Sequence, residues 1–84
     1  MITAVQPITY PKVVVYPNPA TDQIVVDQPI ASVLSIELFN YSGHPVASVK
    51  HFNRLDLNLM SPGFYILKIT LADGTEITSE VVKL

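Results

Sequence analysis

The sequence predicts an all-β domain built from about seven short strands, as in a sandwich or barrel. Three observations carry this. Short runs of Val, Ile, Leu, Tyr and Phe recur along the chain, separated by Pro, Gly, Asn, Asp and Ser. Inside the runs, apolar and polar residues alternate with period two, as on a half-buried strand. No window of eleven or more residues carries a helical period, so helix content should be near zero.

Taken in order, the strand runs are 13–16, 23–27, 33–40, 45–50, 54–58, 64–71 and 76–83. The first two are split by Tyr16-Pro17-Asn18-Pro19. Proline at 17 and 19 removes two backbone donors and fixes φ at both positions. Each also pushes the residue before it toward extended backbone. The segment therefore cannot continue a central strand. It reads as a stiff crossing that blocks onward pairing with another chain. In the second run Ile24 and Val26 bracket Val25. In the third, Leu34, Ile36 and Leu38 face one way, and Ser35 and Glu37 the other. Leu55 and Leu57 bracket Asp56. Tyr65, Leu67, Ile69 and Leu71 form the longest apolar face, opposed by Lys68 and Thr70. In the last run Ile77 and Val81 share one face, and Val82 and Leu84 the other, so this strand reads as covered on both sides.

The turns follow from their residues. Asp73-Gly74 predicts a two-residue hairpin of type I′, with φ > 0 at both positions. Ser42-Gly43 ends the third run, with Pro45 closing the turn. Ser61-Pro62-Gly63 leads into the longest strand. Thr21 and Asp22 are expected to cap the turn after Pro19 through side-chain to backbone bonds. Residues 1–12 hold Pro7 and Pro11 without a clean period and read as an extended linker or tail.

Composition narrows the function. Of 84 residues, 49% are hydrophobic and 14% charged, which argues against disorder. The five Lys and Arg are scattered and the net charge is −2, so no nucleic-acid partner is expected. No apolar run approaches the roughly 18 residues of a membrane-spanning helix. The absence of cysteine excludes disulfides, Cys-based zinc sites and a thiol nucleophile.

Candidate chemistry is thin. His44 and His51 flank a predicted strand and read as solvent-facing residues near its ends, not as ligands. Asp22, Asp27 and Asn18 are an oxygen set that suits calcium, with turn capping the simpler use. Asp56 and Asp73 accompany several serines, but no Gly-x-Ser-x-Gly setting is present. Tyr10, Tyr16, Tyr41 and Tyr65 form no stacking platform by spacing. Tyr65 reads as core with its hydroxyl at the sandwich edge. No catalytic residue, metal or cofactor is expected.

One ordered set of motifs is more specific. "VYPNPATDQIVV" (15–26) opens the domain, and "IELFNYSGHPV" (36–46) gives strand, turn glycine and strand. "LDLNLMSPGFYILKI" (55–69) gives Leu-Asp-Leu, a turn and Gly-x-Tyr. "EVVKL" (80–84) ends the chain. Over about residues 13–84 this set resembles the C-terminal sorting domain, type A, of type IX secretion cargo. The resemblance implies an Ig-like antiparallel β-sandwich at residues 13–84, with 1–12 a linker to an upstream cargo domain. It implies a non-enzymatic signal recognised by the outer-membrane type IX translocon. A sortase-like signal peptidase would then remove it and often attach the cargo to the surface of a Gram-negative bacterium. Carried over by position, the signal residues are Pro17, Asn18 and Pro19, Gly43, Gly63 and Tyr65, and Val82, Lys83 and Leu84. Family members often carry several lysines in the last strand, whereas here Lys83 stands alone between Glu80 and Leu84. An exported precursor needs a Sec leader, so the chain is expected to be part of a longer protein, with Met1 supplied by expression.

A competing reading is a surface adhesion or carbohydrate-binding sandwich. It would use exposed aromatics, for which Phe39, Tyr41, Phe52 and Phe64 are the candidates. A third is a spacer between enzyme domains.

Overall fold

The computed structural model describes residues 13–84. The expected linker, 1–12, lies outside the described residues. Seven strands form: β1 (Val15–Tyr16), β2 (Gln23–Val26), β3 (Val33–Asn40), β4 (Pro45–Lys50), β5 (Arg54–Asp56), β6 (Gly63–Leu71) and β7 (Glu76–Lys83). A single 3₁₀ turn, Ile30–Ser32, precedes β3. Each strand falls on a predicted run; β1, β2 and β5 are shorter than expected, and β6 begins one residue earlier, at Gly63.

The strands make two antiparallel sheets, ordered β1-β2-β5 and β4-β3-β6-β7. This partition is that of an Ig-like sandwich. Ile24, Val26, Leu55 and Leu57 face inward from the small sheet. Ile36, Leu38, Leu67, Ile69, Leu71 and Val81 meet them from the large one, and all ten are buried. Tyr65 closes the core, and its hydroxyl donates to the Ser61 carbonyl at 2.5 Å. Ile77 packs against the core from the face that Val81 shares.

Sequence expectations fail at several places: β7 is covered on one face only, with Glu76, Thr78, Glu80 and Leu84 exposed. Leu34 is 43% exposed rather than inward. The register of β3 against β6 slips between Val33 and Ser35, so Val33 takes the inward place opposite Leu71. A bulge of this kind shifts the alternation by one residue, which a strict period of two cannot register.

The β6–β7 turn is also not type I′. Gly74 has φ 94, but Asp73 keeps negative φ. The Gly74 N–H bonds to the Leu71 carbonyl at 2.9 Å, and the Leu71 N–H to the Thr75 carbonyl at 2.8 Å. This is a three-residue loop, a type I turn followed by a glycine bulge. The β3–β4 loop repeats it. Gly43 (φ 87) donates to the Asn40 carbonyl, and the Asn40 N–H donates to the His44 carbonyl. The Asn40 side-chain Oδ1 steadies this loop by accepting from the N–H groups of Ser42 and His44.

Candidate functional site

The motif residues named in the sequence gather at one end of the large sheet. Pairing places Asn40 beside Tyr65 and Tyr65 beside Val81. The same ladder puts Gly63 opposite Lys83 and Phe64 opposite Val82. The Gly43 loop, the start of β6 and the end of β7 therefore share this end. Pro17, Asn18 and Pro19 join it from the small sheet.

How they join follows from hydrogen-bond supply. β7 is an edge strand, and antiparallel alternation turns the peptide groups of Glu80, Val82 and Leu84 away from β6. Left open, such an edge invites pairing with another strand. The crossing between β1 and β2 runs along it. Two prolines have no N–H to offer, so the crossing uses what lies between and after them. The Asn18 Nδ2 donates to the Glu80 carbonyl at 2.9 Å, and the Asn18 Oδ1 accepts from the Val82 N–H at 3.1 Å. One residue past Pro19, the Ala20 N–H donates to the Val82 carbonyl at 2.7 Å, and the Ala20 carbonyl accepts from the Leu84 N–H at 2.8 Å. Ala20 and Lys83 form a parallel bridge. A carboxamide carries one donor face and one acceptor, as a peptide group does. Asn18 thus substitutes for a strand residue, and four successive hydrogen bonds close the outer edge of β7.

Asn18 and Ala20 carry the turn after Pro19, where Thr21 and Asp22 were expected to cap it. Asp22 contributes its main-chain carbonyl, which accepts from the Leu57 N–H at 2.8 Å. The Asn18 amide, offered above as a calcium ligand, is committed to β7.

On the outer face of the large sheet the end is apolar with one acid. Tyr41 and Phe64 are exposed, with ring centroids 6.1 Å apart. The Tyr41 hydroxyl donates to the Glu80 carboxylate. Val82 and Lys83 are half-buried and Leu84 is exposed. The Lys83 Nζ donates to the main-chain oxygen of Leu84 at 3.0 Å. Sequence reasoning missed Ala20, Tyr41 and Glu80 here. Nothing in the spacing of Tyr41 points to a residue of the last strand.

The remaining candidates lie elsewhere. His44 and His51 are exposed, and His51 sits at φ 57 after β4. Among the described residues no group of three or more His, Asp or Glu is placed to hold a metal ion. No helix among them is long and apolar enough to cross a membrane. Among the described residues Tyr16, Tyr41, Phe52 and Phe64 are the strongly exposed aromatics, and of these Tyr41 and Phe64 form the one ring pair. A groove of about 610 Å³ opens between β4 and β5, lined in part by Phe52, Leu59 and Met60. It lies at the sheet edge opposite β7.

A family model described as a secretion system C-terminal sorting domain matches residues 14–83. No curated protein matches the chain.

Proposed function

Because the chain belongs to the secretion system C-terminal sorting domain family, the type IX sorting domain, we propose that it acts as a non-enzymatic address label. In this reading it directs an upstream cargo of the same precursor through the outer-membrane type IX translocon. A sortase-like signal peptidase then removes it, leaving the cargo at the surface or in the surroundings of a Gram-negative cell. The family match carries the reading. The gathering of Pro17, Asn18, Pro19, Gly43, Gly63, Tyr65, Val82, Lys83 and Leu84 at one end supports it, because a docking protein could meet that end as one surface.

The test is a reporter with a Sec leader, fused upstream of residue 1, in a host with type IX secretion. The expected result is reporter at the cell surface or in the medium, shortened by the mass of this domain. Reporter held in the periplasm would overturn the assignment. Reporter exported at full mass would keep the address label and remove the peptidase.

A further inference from the structure

The four hydrogen bonds along β7 assign a role to Asn18 that differs from contact with a receptor. We propose that Asn18 is a positioning residue for the sorting signal, acting through β7 by holding Glu80–Leu84 extended with its outer edge occupied. The inference rests on the reading of the β7 end as part of the signal.

Three observations carry it. First, both polar atoms of the Asn18 amide are engaged on β7, one with the Glu80 carbonyl and one with the Val82 N–H. One N–H and one oxygen lone pair remain, but the half of the amide that faces β7 is committed inside the molecule. Second, Ala20 continues the same ladder from the main chain, to Val82 and Leu84. The crossing thus supplies a template three residues long, with its polar groups at the spacing of a strand. Third, beyond the ladder to β6 the last residues of β7 have few other anchors. Val81 is wholly buried, but Val82 and Lys83 are only half-buried and Leu84 is 62% exposed. Core packing alone fixes one of the last four residues.

Two consequences follow. With the edge occupied, a partner cannot take up Val82 and Leu84 by adding a strand beside them. It must read outward side chains on an end already ordered, which spares it the conformational entropy of ordering that end. The template also explains the paired prolines. They bring no N–H of their own to a ladder, and the Asn18 side chain supplies the donor to the Glu80 carbonyl.

The experiment uses N18A and N18D in the whole chain, fused to a reporter and also studied alone by amide hydrogen exchange. In N18A, exchange at the Val82 and Leu84 amides should quicken at least about ten-fold, with Leu67 and Ile69 unchanged, and export should fall several-fold. N18D keeps the acceptor for Val82 but sets an oxygen against the Glu80 carbonyl, so it should fall between N18A and the parent in both readings. Export at the parent level with fast exchange at Val82 would overturn the proposal. So would poor export with exchange unchanged, since Asn18 would then be touched directly. Should N18A lose protection at Leu67 as well, N18D is judged by the same two criteria. Failure of the unaltered chain to carry its reporter out defeats the sorting assignment itself, which separates that failure from this one.

Discussion

Ala20 donates its N–H to the Val82 carbonyl at 2.7 Å while its methyl group is wholly excluded from solvent. One residue thus joins the proline crossing to the last strand and fills the core beneath it. A larger side chain there has no room. Ala20→Leu should destabilise by about 1–3 kcal/mol through overpacking, or roughly 4–8 °C in Tm per kcal/mol for a domain of this size. Ala20→Gly keeps both main-chain bonds and should lose about 1 kcal/mol for the methyl group. Thermal unfolding checks both. Equal stability of the leucine variant would show that the crossing is not packed against β7.

The core itself gives a sharper contrast. Ile36 and Leu67 are fully excluded from water and both face the core from neighbouring strands of the large sheet, whereas Leu34 sits on the bulge, 43% exposed. Ile36→Ala or Leu67→Ala should cost about 2–5 kcal/mol. Leu34→Ala should cost well under half of that, since little area and no cavity are involved. Urea midpoints of the three variants decide it. A large loss at Leu34 would restore the inward assignment made from alternation.

That contrast shows what the sequence could and could not convey. Period two placed every strand, and it placed Ile36, Leu38, Leu55, Leu57, Tyr65, Leu67 and Ile69 inward, because burying one face is what the alternation encodes. It failed at Leu34 because a single extra residue flips the phase and leaves no mark of its own. Asp73-Gly74 marked a hairpin, but the same dipeptide serves a type I turn with a glycine bulge. What separates the two is the register of Leu71 and Thr75, a property of the paired strands. The gathering of motif residues at the β7 end was not legible either. Hydrogen bonds from Asn18 to Glu80 and Val82 join segments far apart in sequence, and a carboxamide committed to a backbone leaves no periodic trace.

The β6–β7 turn yields its own test. Gly74 lies at φ 94, with nothing within 4 Å of where a Cβ would stand. The cost of substitution is therefore conformational and not steric crowding. Gly74→Ala should lose about 1 kcal/mol and Gly74→Val more, since a β-branched residue resists this backbone. Asp73 has negative φ, so Asp73→Gly should not stabilise. A more stable Asp73→Gly variant would point back to a type I′ turn.

Asp73 also makes a prediction in pH. Hydrogen bonds from the Thr75 backbone and side chain hold its carboxyl below the ordinary aspartate range. A depressed folded-state pKa means that the folded state prefers the ionised form. Its contribution is fully present above the unfolded-state pKa of about 3.9 and is lost as pH falls through the lower folded value. The stability gap between the parent and Asp73→Ala should therefore be constant from neutral pH down to that point, then shrink at more acid pH. Urea denaturation at a series of pH values reads the gap. A gap that widens on acidification would contradict the assigned bonds.

The Gly-x-Tyr pair separates structure from recognition. Gly63 opens β6 at φ 149, a conformation that side chains rarely adopt, and pairs with Lys83. Tyr65 is buried opposite Val81, and its hydroxyl donates to the Ser61 carbonyl. Its polar atom is thus engaged within the chain, and its ring lies in the core. If the pair serves the fold, Tyr65→Phe should lose about 0.5–1.5 kcal/mol for the hydrogen bond, and Tyr65→Ala about 3–5 kcal/mol for the ring. Export of a fused reporter should then follow stability. The phenylalanine variant, still folded, should be exported at nearly the parent level, and the alanine variant should fail because it unfolds. Urea denaturation alongside the export assay separates the cases. A phenylalanine variant that is folded within these limits but retained in the periplasm would mean that the secretion machinery reads the Tyr65 hydroxyl itself.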